Sequence, residues 1–141
     1  MLNRLLEPRA EAAYTLARVT AGLMFAFHGM QKLFGVLSTF QATFATQMWF
    51  GGMIELCGGL AIAAGVLTTW AAFLASGTMA VAYTQFHWKL ALGANFFPTV
   101  NKGELALLYA VVFFFVACHG GGRWSVDRLL ARTPAEGAPA T

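Results

Sequence analysis

Five side chains that could take part in proton transfer or polar binding lie within or beside strongly apolar runs: His28, Lys32, Glu55, His87 and Glu104. Carboxyl and imidazole groups exchange protons, and an ammonium group can polarise a carbonyl oxygen. Charged groups in apolar surroundings are costly unless they are paired or hydrated, so they commonly face one another. Whether these five side chains meet depends on the elements that carry them.

The composition indicates that these elements are membrane-spanning helices. Of 141 residues, 58% are hydrophobic and 11% are charged, whereas soluble domains contain about 25% charged residues. A spanning helix needs roughly 20 predominantly apolar residues. The sequence therefore predicts an all-α, polytopic membrane protein, a bundle of four transmembrane helices over about 12–30, 49–67, 70–87 and 104–119.

These helices account for nearly the whole chain, so we expect a single membrane domain over 1–132. The remaining segment, 133–141, reads TPAEGAPAT and has no periodic apolar face, which predicts a disordered tail. The net charge of +3 is not concentrated in a cluster of Lys or Arg. We therefore expect the protein to be embedded in the lipid bilayer and to have no nucleic acid as a partner.

The distribution of basic residues predicts the orientation of the bundle. The terminal segments carry Arg4, Arg9, Arg123, Arg128 and Arg132. The loops that follow the first and the third predicted helix, which we call the first and third loops, carry only Lys32, Lys89 and Lys102. Since basic residues are enriched on the cytoplasmic side, we expect a multi-pass protein of the inner (plasma) membrane with both termini cytoplasmic. The five ionisable side chains then lie in one layer, which predicts a polar pocket open to the outer face.

Within this layer Glu55 is the acid set most deeply in its helix, and Lys32 or His28 is the expected partner of its carboxylate. Two alternatives remain open. Lys32, His87 and Glu104 could be interfacial residues whose polar ends reach water. A pair at Glu55 could serve only to determine which helices touch.

Arg18 lies on the same broad face of the first helix as Lys32, but near the cytoplasmic side. We expect it to form an ion pair with a carboxylate at that end, either Asp127 or Glu11. The alternative is that Arg18 reaches a lipid phosphate.

No metal or haem is indicated. Cys57 and Cys118 lack the spacing of a dithiol, haem-attachment or zinc motif. Four side chains are of types that can bind a metal ion, but they come from four separate helices and show no local spacing signature of a metal site. Those four side chains are His28, Glu55, His87 and Glu104.

Five segments occur in an order that resembles the DoxX family of small four-helix membrane proteins, over about residues 14–130. They read ARVTAGLMFAFHGMQKLFG, GGMIELCGGLAIAAGVLTTWAA, AYTQFH, NFFPTVNKGELALLYA and GGGRWSVD. The residues that match the family pattern are Arg18, Gly22, His28, Gly29, Lys32, Glu55, Gly58, Gly65, Gly103, Glu104, Tyr109, Ser125 and Asp127. Two features depart from it: the hairpin at 68–70 lacks a basic residue, and GGG stands where many relatives have a proline.

The resemblance implies a link to quinone and thiol redox chemistry, because relatives include a subunit of an archaeal thiosulfate:quinone oxidoreductase. On this interpretation the catalytic groups are His28, Lys32 and Glu55. Lys32 or His28 would polarise a quinone carbonyl, and Glu55 or Glu104 would exchange protons with the outer phase. The quinone-binding set implied by the resemblance is His28, Lys32, Glu55, His87, Glu104 and Tyr109.

The chain has no evident electron carrier of its own, so any redox reaction needs a reducing substrate or a partner subunit, and it stays open whether the isolated chain is an enzyme. One alternative is a non-catalytic membrane subunit that anchors or assembles soluble redox enzymes, with glycine-rich faces making homo- or hetero-oligomeric contacts. Another is a pathway for a small solute or for protons.

Overall fold

The computed structural model describes residues 2–131, and within this part all regular secondary structure is helical and no strand occurs. The α-helices are α1 (Leu2–Leu6), α2 (Ala10–Phe34), α3 (Gln47–Met53), α4 (Gly59–Ala64), α5 (Thr68–Ala82), α6 (Pro98–Asn101), α7 (Glu104–His119) and α8 (Val126–Ala131). Short 3₁₀ turns cover Glu7–Arg9 and Ala94–Phe96. The all-α prediction is confirmed. Arg132 and the predicted disordered tail at 133–141 lie outside the described residues.

Two π-helical segments continue the α-helices α3 and α5. The segment Ile54–Gly58 joins α3 to α4 in one continuous helix, Gln47–Ala64, which we call the second helix because it corresponds to the second predicted helix. The segment Tyr83–Trp88 extends α5. A π segment inserts an extra residue into a turn and rotates the side chains that follow, and such segments occur frequently at functional sites. Glu55 lies in the first segment and His87 in the second.

The helix boundaries follow the predicted ones with local shifts that have identifiable causes. Helix α2 continues four residues past the predicted end at 30 and stops at Gly35, which has a φ of 67°. The second helix ends three residues before the predicted 67, because Gly65 has a φ of 75°. Positive φ suits glycine, which lacks a Cβ, and terminates both helices.

The core lies between α2, the second helix, α5 and α7. Helix α5 packs against α7, and α2 packs against the second helix. The buried apolar side chains of this core are Phe25, Ile62, Ala72, Ala75, Met79, Tyr109, Ala110, Phe113, Val116 and Ala117.

The contact between α2 and the second helix is made by backbone as well as by side chains. A Cβ on Gly59 would lie 2.5 Å from the backbone nitrogen of Ala26 and 2.6 Å from the carbonyl oxygen of Gly22. A Cβ on Gly29 would lie 2.6 Å from the carbonyl oxygen of Gly52. Small residues that allow such close approach are typical of helix contacts in membranes.

Large apolar side chains also cover much of the outer surface. On α7, for example, Leu108, Val111, Phe114 and Phe115 are each more than half exposed. One helix among residues 2–131, Gln47–Ala64, is long and apolar enough to cross a membrane, and only 22% of it is buried within the chain. The shorter α7 is also apolar. Four crossings therefore stay a prediction.

Candidate functional site

An ion pair between α2 and the second helix is the centre of the candidate site. The Nζ atom of Lys32 lies 2.5 Å from Oε1 of Glu55. The Glu55 side chain is 3% exposed, whereas that of Lys32 is 27% exposed. Lys32 is in the last turn of α2, and Glu55 is the second residue of the first π segment. Of the two partners expected for Glu55, the structure has Lys32 in contact.

Two cavities lie on either side of this pair. The larger cavity has a volume of about 430 Å³ and is lined mostly by apolar side chains of the second helix and of α5, including Phe50, Ile54 and Val81. The smaller cavity has a volume of about 210 Å³ and extends toward α7. The residues common to both cavities, which we call the shared wall, are Lys32, Glu55, Met79, Ala82 and His87.

Two buried polar atoms at the smaller cavity have no hydrogen-bond partner among residues 2–131. They are Oε2 of Glu55 and the hydroxyl of Tyr109, both on residues that line this cavity. Buried polar groups are nearly always hydrogen-bonded, so such exceptions call for an explanation. A ligand in the smaller cavity could supply both missing hydrogen bonds.

His28 lines the smaller cavity beside Tyr109, and the two rings meet edge to face with their centroids 6.2 Å apart. Its imidazole forms no hydrogen bond within the described part of the chain. Tyr109 also stacks on Phe113, with ring centroids 5.3 Å apart. The tyrosine ring is therefore held by the core, while its hydroxyl has no hydrogen-bond partner within the described residues.

His87 reaches both cavities from the second π segment. Its Nδ1 lies 3.4 Å from the carbonyl oxygen of Asn101. The side-chain amide of Asn101 donates to the carbonyl oxygen of Asn95 at 3.0 Å, and that of Asn95 donates to Trp88 at 2.7 Å. These hydrogen bonds within the third loop position His87 at the shared wall.

Glu104 is not brought to the cavities, contrary to the predicted convergence of five ionisable groups. It is exposed at the start of α7, and its Oε1 accepts a hydrogen bond of 2.9 Å from the Thr99 hydroxyl. Lys102 lines the smaller cavity instead. Its positive φ of 58° ends α6 and redirects the chain before α7 begins. Sequence reasoning counted Lys102 only as a loop charge, and no local pattern distinguished it from Lys89.

A second polar cluster lies at the opposite end of the helices, around Arg18. The guanidinium is 1% exposed and donates to the carbonyl oxygens of Ile62, of Ala63 at 2.9 Å and of Trp124 at 2.9 Å. The expected ion pair with Asp127 or Glu11 is not formed within residues 2–131. Ile62 and Ala63 are in the last turn of α4, where helical hydrogen bonding runs out, and the Ile62 oxygen also accepts a backbone hydrogen bond of 3.2 Å from Gly65. The buried arginine supplies further donors to the carbonyl oxygens at this helix end.

Asp127 instead holds the start of α5. Its carboxylate accepts hydrogen bonds from the backbone of Leu67 at 2.7 Å, from the backbone of Thr68 at 2.9 Å and from the Thr68 hydroxyl at 2.7 Å. Burial raises the pKa of Asp127, but these hydrogen bonds and the charge of Arg18 lower it by more. The pKa of this carboxyl is therefore below its ordinary value.

Glu11, the other expected partner of Arg18, accepts a hydrogen bond from the backbone of Arg123 and lies 3.8 Å from the imidazole of His119. Together with Arg18 and Asp127, it attaches the segment after α7 to the ends of the other helices. The Nε atom of Arg18 is buried without a hydrogen-bond partner among residues 2–131, whereas the other polar contacts of this cluster join elements of the fold to one another.

The chemistry available at the cavities is that of hydrogen bonding and proton exchange. The shared wall supplies an ammonium, a carboxylate and an imidazole. Within residues 2–131 no three side chains among His, Cys, Asp and Glu lie close enough together to hold a metal ion. The four side chains considered from the sequence, His28, Glu55, His87 and Glu104, are therefore not grouped as metal ligands in the described part.

Comparison with known proteins gives two matches. The DoxX family model matches residues 13–88. An uncharacterized protein of Haemophilus influenzae is 35% identical over 114 residues, which cover 78% of this chain and 84% of that protein. No solved structure matches the chain.

Proposed function

The chain belongs to the DoxX family of membrane proteins, and on that premise we propose that it is the membrane component of a quinone-linked oxidoreductase system. It crosses the inner membrane four times and binds a quinone in the cavities beside Lys32 and Glu55. Electrons come from a partner subunit or a reducing substrate. The thiol chemistry of the system belongs to that partner.

The observation that carries this proposal is the larger cavity with a buried ion pair in its wall. Its volume of about 430 Å³ falls within the range of about 300–1,000 Å³ that is typical of small-molecule sites. A quinone has a flat apolar ring, two carbonyl oxygens and a long apolar tail. A mostly apolar groove with a few polar groups at one side matches that chemistry.

The two cavities divide the ligand between them. The smaller cavity, next to His28 and Tyr109, receives the ring, and the larger cavity receives the tail. Phe50 and Phe86 at the larger cavity are each about half exposed, at 55% and 47%. In a bilayer this surface faces the acyl chains, so a lipid-soluble ligand enters sideways from the membrane.

Each polar residue of the shared wall has a role in this proposal. The ammonium of Lys32 keeps part of its exposure and stabilises negative charge that develops on a ring oxygen during reduction. Glu55 holds Lys32 in place and exchanges a proton with the ligand. His87, which contacts both cavities, connects the site to the outer aqueous phase through the third loop.

The test is the quinone content of the full chain purified in native lipid. We expect Glu55→Gln, and Gly77→Leu, to lower the bound quinone, measured by ultraviolet absorbance after extraction, at least about tenfold. Gly77 lines the larger cavity with no atom within 4 Å of where its Cβ would lie, so leucine fills the cavity without a clash at that position.

Two matched variants serve as controls for this measurement. Glu104→Gln changes an exposed carboxylate that lines neither cavity, and Gly77→Ala adds only a methyl group. Both should retain the wild-type quinone content. An unchanged content in Glu55→Gln and Gly77→Leu, or an equal loss in the controls, contradicts the proposal.

A second candidate function is a non-catalytic subunit that anchors soluble redox enzymes. It is supported by the position of the Lys32–Glu55 pair, which joins the same two helices whose backbones meet at Gly29 and Gly52. On this view the pair only determines helix register. Lipid alone in the cavities, with normal recruitment of the partner enzyme by Glu55→Gln, favours this candidate.

A further inference from the structure

The smaller cavity presents a carboxylate oxygen that lacks a donor. Glu55 uses Oε1 for Lys32, while Oε2 is buried and has no hydrogen-bond partner among residues 2–131. An ionised carboxylate can only accept hydrogen bonds. The group that completes this site must therefore bring a hydrogen.

The Tyr109 hydroxyl is the second group at the same cavity that has no hydrogen-bond partner in the described part of the chain. A hydroxyl both donates and accepts, so it can bond to a ligand oxygen of either type. A ligand hydroxyl that donates to Glu55 Oε2 and accepts from Tyr109 satisfies both protein atoms. A ligand carbonyl satisfies only Tyr109 and sets its lone pairs against those of Glu55.

The other polar groups at the cavity do not make this distinction. The ammonium groups of Lys32 and Lys102 donate equally well to a carbonyl or to a hydroxyl oxygen. The neutral imidazole of His28 has one nitrogen that donates and one that accepts. The imidazole of His87 also lines this cavity, but it is only partly buried and its Nδ1 faces the carbonyl oxygen of Asn101 at 3.4 Å. Glu55 Oε2 is the buried acceptor without a partner among residues 2–131, and it distinguishes a hydroxyl from a carbonyl.

From this arrangement we propose that the site selects the reduced, dihydroxy form of its ligand over the oxidised, dicarbonyl form, with Glu55 Oε2 as the residue atom that determines the selection. This inference rests on the proposed quinone-binding function and specifies which redox form is held. Tighter binding of the reduced form also raises the midpoint potential of the bound couple. A tenfold preference corresponds to about 30 mV for two electrons.

The experiment compares one short-chain alkyl hydroquinone with the benzoquinone of the same alkyl chain. Both are titrated anaerobically into the full chain in lipid nanodiscs, and binding is measured by calorimetry. We expect the wild type to bind the hydroquinone at least about tenfold more tightly, because hydrogen bonds to charged groups are among the strongest in proteins. In Glu55→Gln we expect the preference to disappear, since an amide can donate to a carbonyl.

Two further variants keep the result interpretable. Tyr109→Phe removes a group that serves both forms, so both affinities should fall while their ratio stays the same. Glu7→Gln changes an exposed carboxylate at the amino-terminal end and should leave both affinities unchanged. If Glu55→Gln fails to fold, the ratio in Tyr109→Phe and the midpoint potential of the bound couple decide.

Each outcome separates this inference from the proposed function. A hydroquinone preference in the wild type and in Tyr109→Phe, with a raised midpoint potential, supports the inference. Equal binding of both forms, tighter binding of the quinone or a preference unchanged in Glu55→Gln overturns it and leaves quinone binding intact. Binding of neither form overturns both.

Discussion

The Lys32–Glu55 pair differs from an exposed salt bridge because its carboxylate is almost fully removed from solvent. Exposed pairs contribute little to stability, whereas removal of one partner from a buried pair leaves an uncompensated charge. The sequence indicated two cations within reach of Glu55, and the rotation of the packed helices decided between them. The flexible stem of Lys32 spans the gap between the helices, while the His28 ring is turned toward Tyr109.

Truncation of the lysine tests the energetics of this pair. We expect Lys32→Met to lower the free energy of unfolding by about 3 kcal/mol, the lower end of the cost of breaking a buried pair, because Lys32 is partly exposed. The double variant Lys32→Met/Glu55→Met should recover most of this loss, since no charge stays buried. Chemical denaturation in mixed micelles measures both.

Lys89→Met is the control for these variants, since Lys89 is exposed in the third loop. It should leave stability unchanged. Equal losses in the single and the double variant would contradict this expectation, because the uncompensated charge of Glu55 would then not account for the loss.

At the scale of the helices, backbone contact sets the distance between α2 and the second helix. At Gly59 a methyl group would meet backbone atoms of α2, which cannot move aside as a flexible side chain can. The Lys32–Glu55 contact, the Gly22–Gly59 contact and the Gly29–Gly52 contact all lie along this one interface. A change in helix separation therefore alters the candidate site as well.

Gly59→Ala tests this close approach. We expect it to lower the free energy of unfolding by about 1–3 kcal/mol, as in other overpacked interiors. Gly77→Ala on α5 is the matched control, because its Cβ would have no atom within 4 Å and alanine favours helix. The measurement is the unfolding midpoint in detergent. Similar midpoints for the two variants would contradict tight packing at Gly59.

The start of α5 depends on a carboxylate from the far end of the chain. The lowered pKa of Asp127 means that its stabilising contribution is complete above the ordinary value of 3.8. That contribution is lost as the pH falls through the lower pKa of the folded state. We expect Asp127→Asn to be less stable by about 1 kcal/mol at neutral pH, comparable to the loss of a helix cap.

The same variant identifies the titrating group. The difference in melting temperature between the wild type and Asp127→Asn should shrink as the pH falls below 3.8. Thermal unfolding, followed by circular dichroism at pH values from 7 to below 3.8, measures this difference. A difference that is constant across this range would show that the charge of Asp127 is not involved.

At the scale of the whole molecule, two polar clusters lie at opposite ends of an apolar surface. The Lys32–Glu55 site occupies one end, and the Arg18 cluster with its neighbour Asp127 occupies the other. Between them the exposed side chains are largely apolar. A soluble monomer rarely exposes apolar patches of this extent, which agrees with membership of a membrane family.

Cysteine labelling tests the four-crossing topology. After replacement of the exposed Cys57 and Cys118 by alanine, we expect Thr39→Cys and Leu92→Cys to react with a membrane-impermeant maleimide in intact cells. Ala131→Cys should react only after lysis, because the positive-inside rule predicts a cytoplasmic carboxyl-terminal end. Labelling of Ala131→Cys alone in intact cells would overturn the predicted orientation, and labelling of all three would overturn the crossing by the fourth predicted helix.

The same labelling also tests the number of crossings. Thr39 lies in the first loop and Leu92 in the third, so an odd number of crossings between them would place them on opposite sides. Reaction of only one of the two in intact cells contradicts two crossings between these loops.

The sequence alone determined the helical class and the approximate extent of the long helices, because apolar content, glycine stops and helix preference act over a few residues. It also identified Lys32 and Glu55 as residues able to pair. Only the tertiary structure decided that Lys32, not His28, contacts Glu55, that Arg18 binds carbonyl oxygens and that Glu104 stays outside the cavities. These outcomes depend on helix rotation, on the π segment at Glu55 and on backbone contact at glycine, which arise when separate helices pack against one another.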